Sequence, residues 1–202
     1  MPYEIPLSAA DRSTLILASK SPRRRELMEL LETPFAVCPG DADETVGEGL
    51  GPGEIVSELS RRKCAAAAAG FPENIVIGAD TIVWNPRDPG REAYGKPKDR
   101  ADAVRMLSSL SGGWHEVWTG VTVALGDRVL TDAVRTAVRF RELSEEDIDN
   151  YIDRHPPYDK AGAYAIQESA ALFIPEIRGD FYNVIGLPVE KTYELIRKAV
   201  RP

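Results

Sequence analysis

From Leu15 to Val200, short apolar runs of strand length alternate with longer segments whose apolar residues recur at helical spacing. That alternation confines the chain to an α/β class with a mixed sheet. Leu15-Ile16-Leu17-Ala18 reads as a buried strand, and Phe35 to Cys38 as a second short strand. Between them Ser21 is a good N-cap and Pro22 a good first helical residue, with Leu27, Leu30 and Leu31 at core spacing. A loop over 39–53 leads into a helix over 53–69, with Ile55, Val56 and Leu59 inward. Residues 74–84 are β-rich, 85–98 form a long turn or flap, and Asp99 opens a helix whose Ala103, Met106, Leu107 and Leu110 fit the helical template. Two long strands follow, over 114–125 and 129–141, joined at Gly126-Asp127-Arg128. In the second, Val134, Thr136, Val138 and Phe140 take one face; Arg135, Arg139 and Arg141 take the other, most simply a solvated face. An acidic helix over 143–154 precedes two further strand candidates, over 171–177 and 181–185. Pro188 opens the last helix, with Val189, Tyr193, Ile196 and Val200 inward.

The chain's 202 residues suit a single domain over 1–202, with 1–13 a loose leader and 14–202 the folded part. A net charge of −7 argues against a nucleic-acid polymer as partner and for small phosphorylated ligands held in a local pocket. Cys38 and Cys64 form no C-x-x-C pair, and no Cys/His cluster has zinc spacing. Both read as small core residues in a reducing compartment, a disulfide between them being the minor alternative. No signal peptide or membrane-length apolar stretch is apparent, which points to the cytoplasm.

Five segments could carry chemistry. At Ser19 to Arg25 a strand turns into a helix whose first turn carries three arginines. A helix N-terminus already presents unpaired N–H groups and about half a positive charge, so cations there cost energy unless an anion binds. Arg25, four before Glu29, fits a surface pair. Arg23 and Arg24 lie at the edge of the core-facing side and suit bidentate phosphate contacts. The competing reading is a basic, solvated helix start. Asp80, in Gly78-Ala79-Asp80-Thr81, is an acid inside an apolar run. It is paired, metal-bound, at a strand end beside a cleft, or capping a turn. As a functional group it could activate water or hold a divalent cation. Lys63 follows Ile55 and Leu59 at steps of four, so it either snorkels or points at a charge. Lys96, in Gly95-Lys96-Pro97, is a flap lysine that could close over phosphates or simply be solvated. Gln167, ending Tyr158 to Gln167, offers the donor and acceptor that a uracil or thymine edge requires, or is an ordinary loop residue. Nucleotide loops of the G-x-x-x-x-G-K-[ST] and G-x-G-x-x-G types are missing, and His115 and His155 are too few for a histidine metal site.

In order along the chain, these segments resemble the Maf family of nucleoside triphosphate pyrophosphatases. The resemblance runs through Leu17 to Arg24, Asp43-Glu44, Lys63, Gly78 to Thr81, Gly95 to Pro97, Leu110 to Gly112 with His115 and Thr119 to Val121, Asp159 to Tyr164, and Asn183 to Pro188. It implies an elongated mixed sheet with flanking helices, two lobes around a central cleft, of the Maf and inosine-triphosphatase kind, and a homodimer. It implies metal-dependent attack of water between the α and β phosphates. Asp80 would be the base and a ligand, with Glu44, of Mg²⁺ or Mn²⁺. Ser19, Arg23, Arg24, Lys63 and Lys96 would bind the triphosphate, and Arg23, Thr81 and Gln167 match base-selective positions. The form of the segment ending at Gln167 resembles the branch acting on dTTP and UTP, including modified uridine nucleotides. Lys20, Glu168 and Gly113-Trp114 depart from the family pattern. The rival reading is a nucleotide-binding regulator of septum formation without turnover.

Overall fold

The computed structural model describes residues 15–47, 49–90 and 93–200; the leader read over 1–13 lies outside them. Seven strands form one mixed sheet in the order β2-β1-β3-β5-β6-β7, with β4 paired to β3. They are β1 Leu15–Leu17, β2 Phe35–Val37, β3 Val76–Trp84, β4 Ala93–Tyr94, β5 Trp114–Leu125, β6 Arg128–Arg139 and β7 Glu176–Arg178. The helices are α1 Pro22–Glu29, α2 Pro52–Ala68, α3 Arg100–Leu110, α4 Glu145–Arg154, α5 Phe181–Ile185 and α6 Val189–Val200. β1 pairs in parallel with both β2 and β3, whereas β3–β4 and β6–β7 are antiparallel. The chain divides into two compact units, and β3, β5 and β6 contribute to both.

The first unit takes the chain up to Asp80, Thr119–Val134 and the chain from Gly186 onward. The β1–β3 register sets Leu17 beside Ile77, so Ser19 and Asp80 lie towards the same, carboxyl, end of neighbouring parallel strands. In open α/β sheets that end is where ligands gather. A core of Ile16, Ala18, Cys64, Ala67, Val76 and Ala124 seats α2 against the strands, with Cys38 partly buried beside it. Both cysteines are free. Two glycines let α2 come close. A Cβ on Gly78 would stand 2.6 Å from Cys64 N and Ser60 O, and one on Gly120 would stand 2.1 Å from Val56 O.

The second unit comprises Thr81–Trp118 and Arg135–Ile185. Its core is aromatic: Phe140, Tyr164 and His115 meet edge to face, and Phe173 and Tyr151 extend the cluster. Arg87 closes the end of α3 by donating to the carbonyls of Ser109, Leu110 and Ser111, a cation at a helix C-terminus. The basic face of β6 is exposed at Arg135 and Arg139, which pair with Glu116 and Glu176.

Four sequence expectations are corrected. Leu30 is 53% exposed, and Met28 takes the buried position beside Leu27. In α6 the buried stripe is Thr192, Leu195, Ile196 and Ala199, of which only Ile196 was expected. Residues 181–185 are helical: Asp180 Oδ1 accepts from the backbone of Tyr182 and Asn183, and this cap outweighs the β-favouring composition of the segment. The strand candidate over 171–177 is partly a 3₁₀ turn, Ser169–Phe173, with β7 after it.

Candidate active site

In the first unit the β1–α1 turn builds the anion-friendly end. Ser21 caps α1 by accepting from Arg24 N at 3.5 Å, and Pro22 stands in its first turn. Ser19, 7% exposed, turns its hydroxyl inward to accept from Ser21 N and from Arg24 Nη1, each at 3.2 Å. Arg24 Nε donates to the Gly186 carbonyl at 2.8 Å. Its guanidinium is therefore fixed at two points. Burial pushes the Arg24 pKa down and neighbouring Arg23 adds to this, while Asp80 and Glu44 oppose it. Asp80, Arg23 and Glu44 thus all lie within electrostatic range of Arg24. Arg25 points to solvent.

Asp80 ends the first unit's part of β3 and is 8% exposed. It is paired: Lys63 Nζ donates to Asp80 Oδ1 at 2.5 Å and also meets Glu44 Oε1 at 2.7 Å. Of the two readings open for Lys63, it points at a charge. Glu44 is carried by a loop fastened to α2, because Arg62 Nη1 donates to the carbonyls of Asp43 and Thr45 on either side of it. Asp43 is held ionised by the Thr45 backbone N–H, which lowers its pKa. The result is a cluster of three cations, Arg23, Arg24 and Lys63, around two carboxylates, Glu44 and Asp80.

Two carboxylates that share one ammonium nitrogen can also share one metal ion. Among the described residues no group of three or more His, Cys, Asp or Glu side chains is poised to hold a metal. That donor set fits Mg²⁺ or Mn²⁺ completed by water and substrate phosphates, since Mg²⁺ commonly takes only one or two protein carboxylates.

Thr81, Lys96 and Gln167 belong to the second unit. Thr81 follows Asp80 along β3 and is half-buried, while Lys96 and Gln167 are exposed. The flap turn is fixed within its unit, with Gly162 N donating to the Gly95 carbonyl at 3.0 Å. Gly162 sits at φ 67, and a Cβ there would press on Val83 at 2.6 Å, so glycine is needed on both counts. Lys160 is buried and held by Asp159 at 2.8 Å and Glu168 at 3.5 Å. Glu168, a departure from the family pattern, is thus a partner for a buried cation. The contribution of Gly186 is one that sequence reasoning missed: a backbone carbonyl carries no residue-type signal.

A family model described as "Maf-like protein" matches residues 14–199. A Bacillus cytotoxicus protein named "dTTP/UTP pyrophosphatase" is 48% identical over 176 residues, covering 87% of this chain and 90% of that one. One of the same name from Bacillus anthracis is 44% identical over 177 residues, covering 88% and 91%. A solved structure, that of the Staphylococcus aureus Ham1 protein, overlaps with a TM-score of 0.48 and 14% identity over 63% of this chain and 71% of that one, too slight a likeness to carry an argument.

Proposed function

This chain belongs to the Maf family, and on that premise we propose that it is a dTTP/UTP pyrophosphatase, cleaving the α–β phosphoanhydride with water to leave the monophosphate and pyrophosphate. The observation that carries the reading is the convergence of Arg24, Lys63 and Glu44 on the buried Asp80. A triphosphate needs positioned cations, and its hydrolysis needs a carboxylate to take a proton from water.

In the proposed mechanism Arg23, Arg24 and Lys63, with Lys96, neutralise the phosphates, and Ser19 holds Arg24 towards them. Asp80 orients the attacking water and accepts its proton as the new P–O bond forms and the α–β bridge breaks. Negative charge grows on the departing pyrophosphate, and the fixed guanidinium of Arg24 meets it without reorganisation. Glu44 and Asp80 would hold Mg²⁺ or Mn²⁺, which when bound supplies further positive charge to the same oxygens. Thr81 and Gln167 read the base with Arg23, Gln167 pairing its amide with the N3–H and O4 edge. Uridine nucleotides modified away from that edge are also substrates. We infer a cytoplasmic homodimer that clears unwanted nucleotides; among the described residues no helix is long and apolar enough to cross a membrane.

The test is a panel of all common nucleoside triphosphates, with Mg²⁺ or Mn²⁺ and an inorganic pyrophosphatase coupled to phosphate detection. Turnover of dTTP and UTP ahead of ATP, GTP and CTP is expected, and EDTA should stop it. Absence of turnover with every nucleotide and both metals overturns the proposal and leaves the regulator reading.

A further inference from the structure

We propose that Lys63 and the divalent cation are alternative occupants of one position between Glu44 and Asp80, so that cation binding releases the Lys63 ammonium to the substrate's phosphates. The inference rests on the pyrophosphatase reading for its substrate, but its geometry stands apart from it. Both carboxylates are placed by backbone. Asp80 sits on β3, against which α2 is drawn by the missing side chain of Gly78. Glu44 is placed by Arg62, which clamps the carbonyls on either side of it. Lys63 reaches them from α2 on a flexible four-carbon stem, which lets its ammonium turn from the carboxylates to a neighbouring anion.

Its nitrogen lies 2.5 Å from one carboxylate and 2.7 Å from the other, in direct contact with both. A metal bound by those oxygens would stand almost where the nitrogen stands. Two cations cannot share that position, because like charges a few ångströms apart repel strongly in a partly buried site. Arg24 cannot substitute for the displaced lysine, since Gly186 and Ser19 already fix its guanidinium. Lys63 thereby acts in turn as a place-holder that keeps two facing carboxylates compatible and as a phosphate ligand.

The experiment measures Mn²⁺ binding to the full chain without nucleotide, from the free Mn²⁺ signal in electron paramagnetic resonance, in wild type, Lys63→Gln and Lys63→Arg. Circular dichroism checks that each variant is folded. Removing the competing charge in Lys63→Gln should tighten Mn²⁺ binding about tenfold or more, while Lys63→Arg keeps the competition and stays near wild type. As a second readout, Mg²⁺ should shift the Lys63 side-chain NMR signals in wild type. Mn²⁺ affinity that is unchanged or weaker in Lys63→Gln, or no binding in either protein, overturns the exclusion. The nucleotide panel on wild type reports separately on the pyrophosphatase reading, so the two can fail independently.

Discussion

At the scale of single residues the proposed chemistry divides cleanly. Asp80→Asn keeps the shape of the side chain and removes the proton acceptor. Turnover of dTTP should fall by at least about 100-fold, the low end of what a general base contributes. Nucleotide affinity, measured calorimetrically, should change little; an unchanged kcat would take Asp80 out of the mechanism. Gln167→Ala removes a donor and acceptor from an exposed side chain. Preference for dTTP over CTP should narrow about tenfold, one or two hydrogen bonds' worth, with a smaller loss of rate on dTTP. A fixed substrate ranking would mean that the base is read elsewhere. The cluster was half legible at this scale. Lys63 and Asp80 were each anomalous in an apolar pattern, and the structure joins them. Glu44 came into view only through the family resemblance, because an acid in a loop breaks no local rule.

At the scale of elements, regular periodicity was readable and context was not. The α3 stripe of Ala103, Met106, Leu107 and Leu110 is buried as its spacing requires. Phe181–Ile185 has strand composition but folds as a helix because Asp180 caps it and Asn183 donates to Val117 O and Thr136 Oγ1, partners 66 and 47 residues away. No local window contains them. The same limit applied to Gly120, which belongs to the resemblance but whose reason lies on α2. Its Cβ would meet a backbone carbonyl, Val56 O, at 2.1 Å, and a backbone neighbour cannot swing aside. Gly120→Ala should therefore cost about 1–3 kcal/mol, as overpacking does, read as a lower urea midpoint. Its KM for dTTP should also rise, since moving α2 moves Lys63 relative to Asp80. Stability equal to wild type would show that α2 can shift freely.

At the scale of the whole molecule, the response to acid should carry the signature of one buried histidine. His115 is 1% exposed, and its Nε2 is bonded to the Tyr164 hydroxyl at 2.9 Å. Its Nδ1 is buried without a partner. Burial, helped by the nearby charge of Arg87, pushes its pKa down from 6.5 to about 3. Tyr164, also buried, is held well above its ordinary range and stays a neutral hydroxyl. Between those two pH values the unfolded chain carries a proton on this residue that the native chain does not. The slope of unfolding free energy with pH is then positive and approaches one proton, about 1.4 kcal/mol per pH unit. The contribution is intact above pH 6.5 and is lost as pH falls towards 3. Carboxylates act in the same direction but later. Hydrogen bonds from Arg141 hold Asp147 low, and Lys191 does the same for Glu194, yet their ordinary pKa values are 3.8 and 4.5, and both are solvent-screened. A loss of stability between pH 6.5 and 5 thus separates the histidine from the acids. Urea midpoints measured across that interval should fall steadily in wild type. In His115→Gln, which retains a partner for Tyr164 but cannot titrate, they should stay nearly level. Equal slopes in the two proteins would show that His115 is accessible to protons in the native fold and that its burial does not set the acid limit of this molecule.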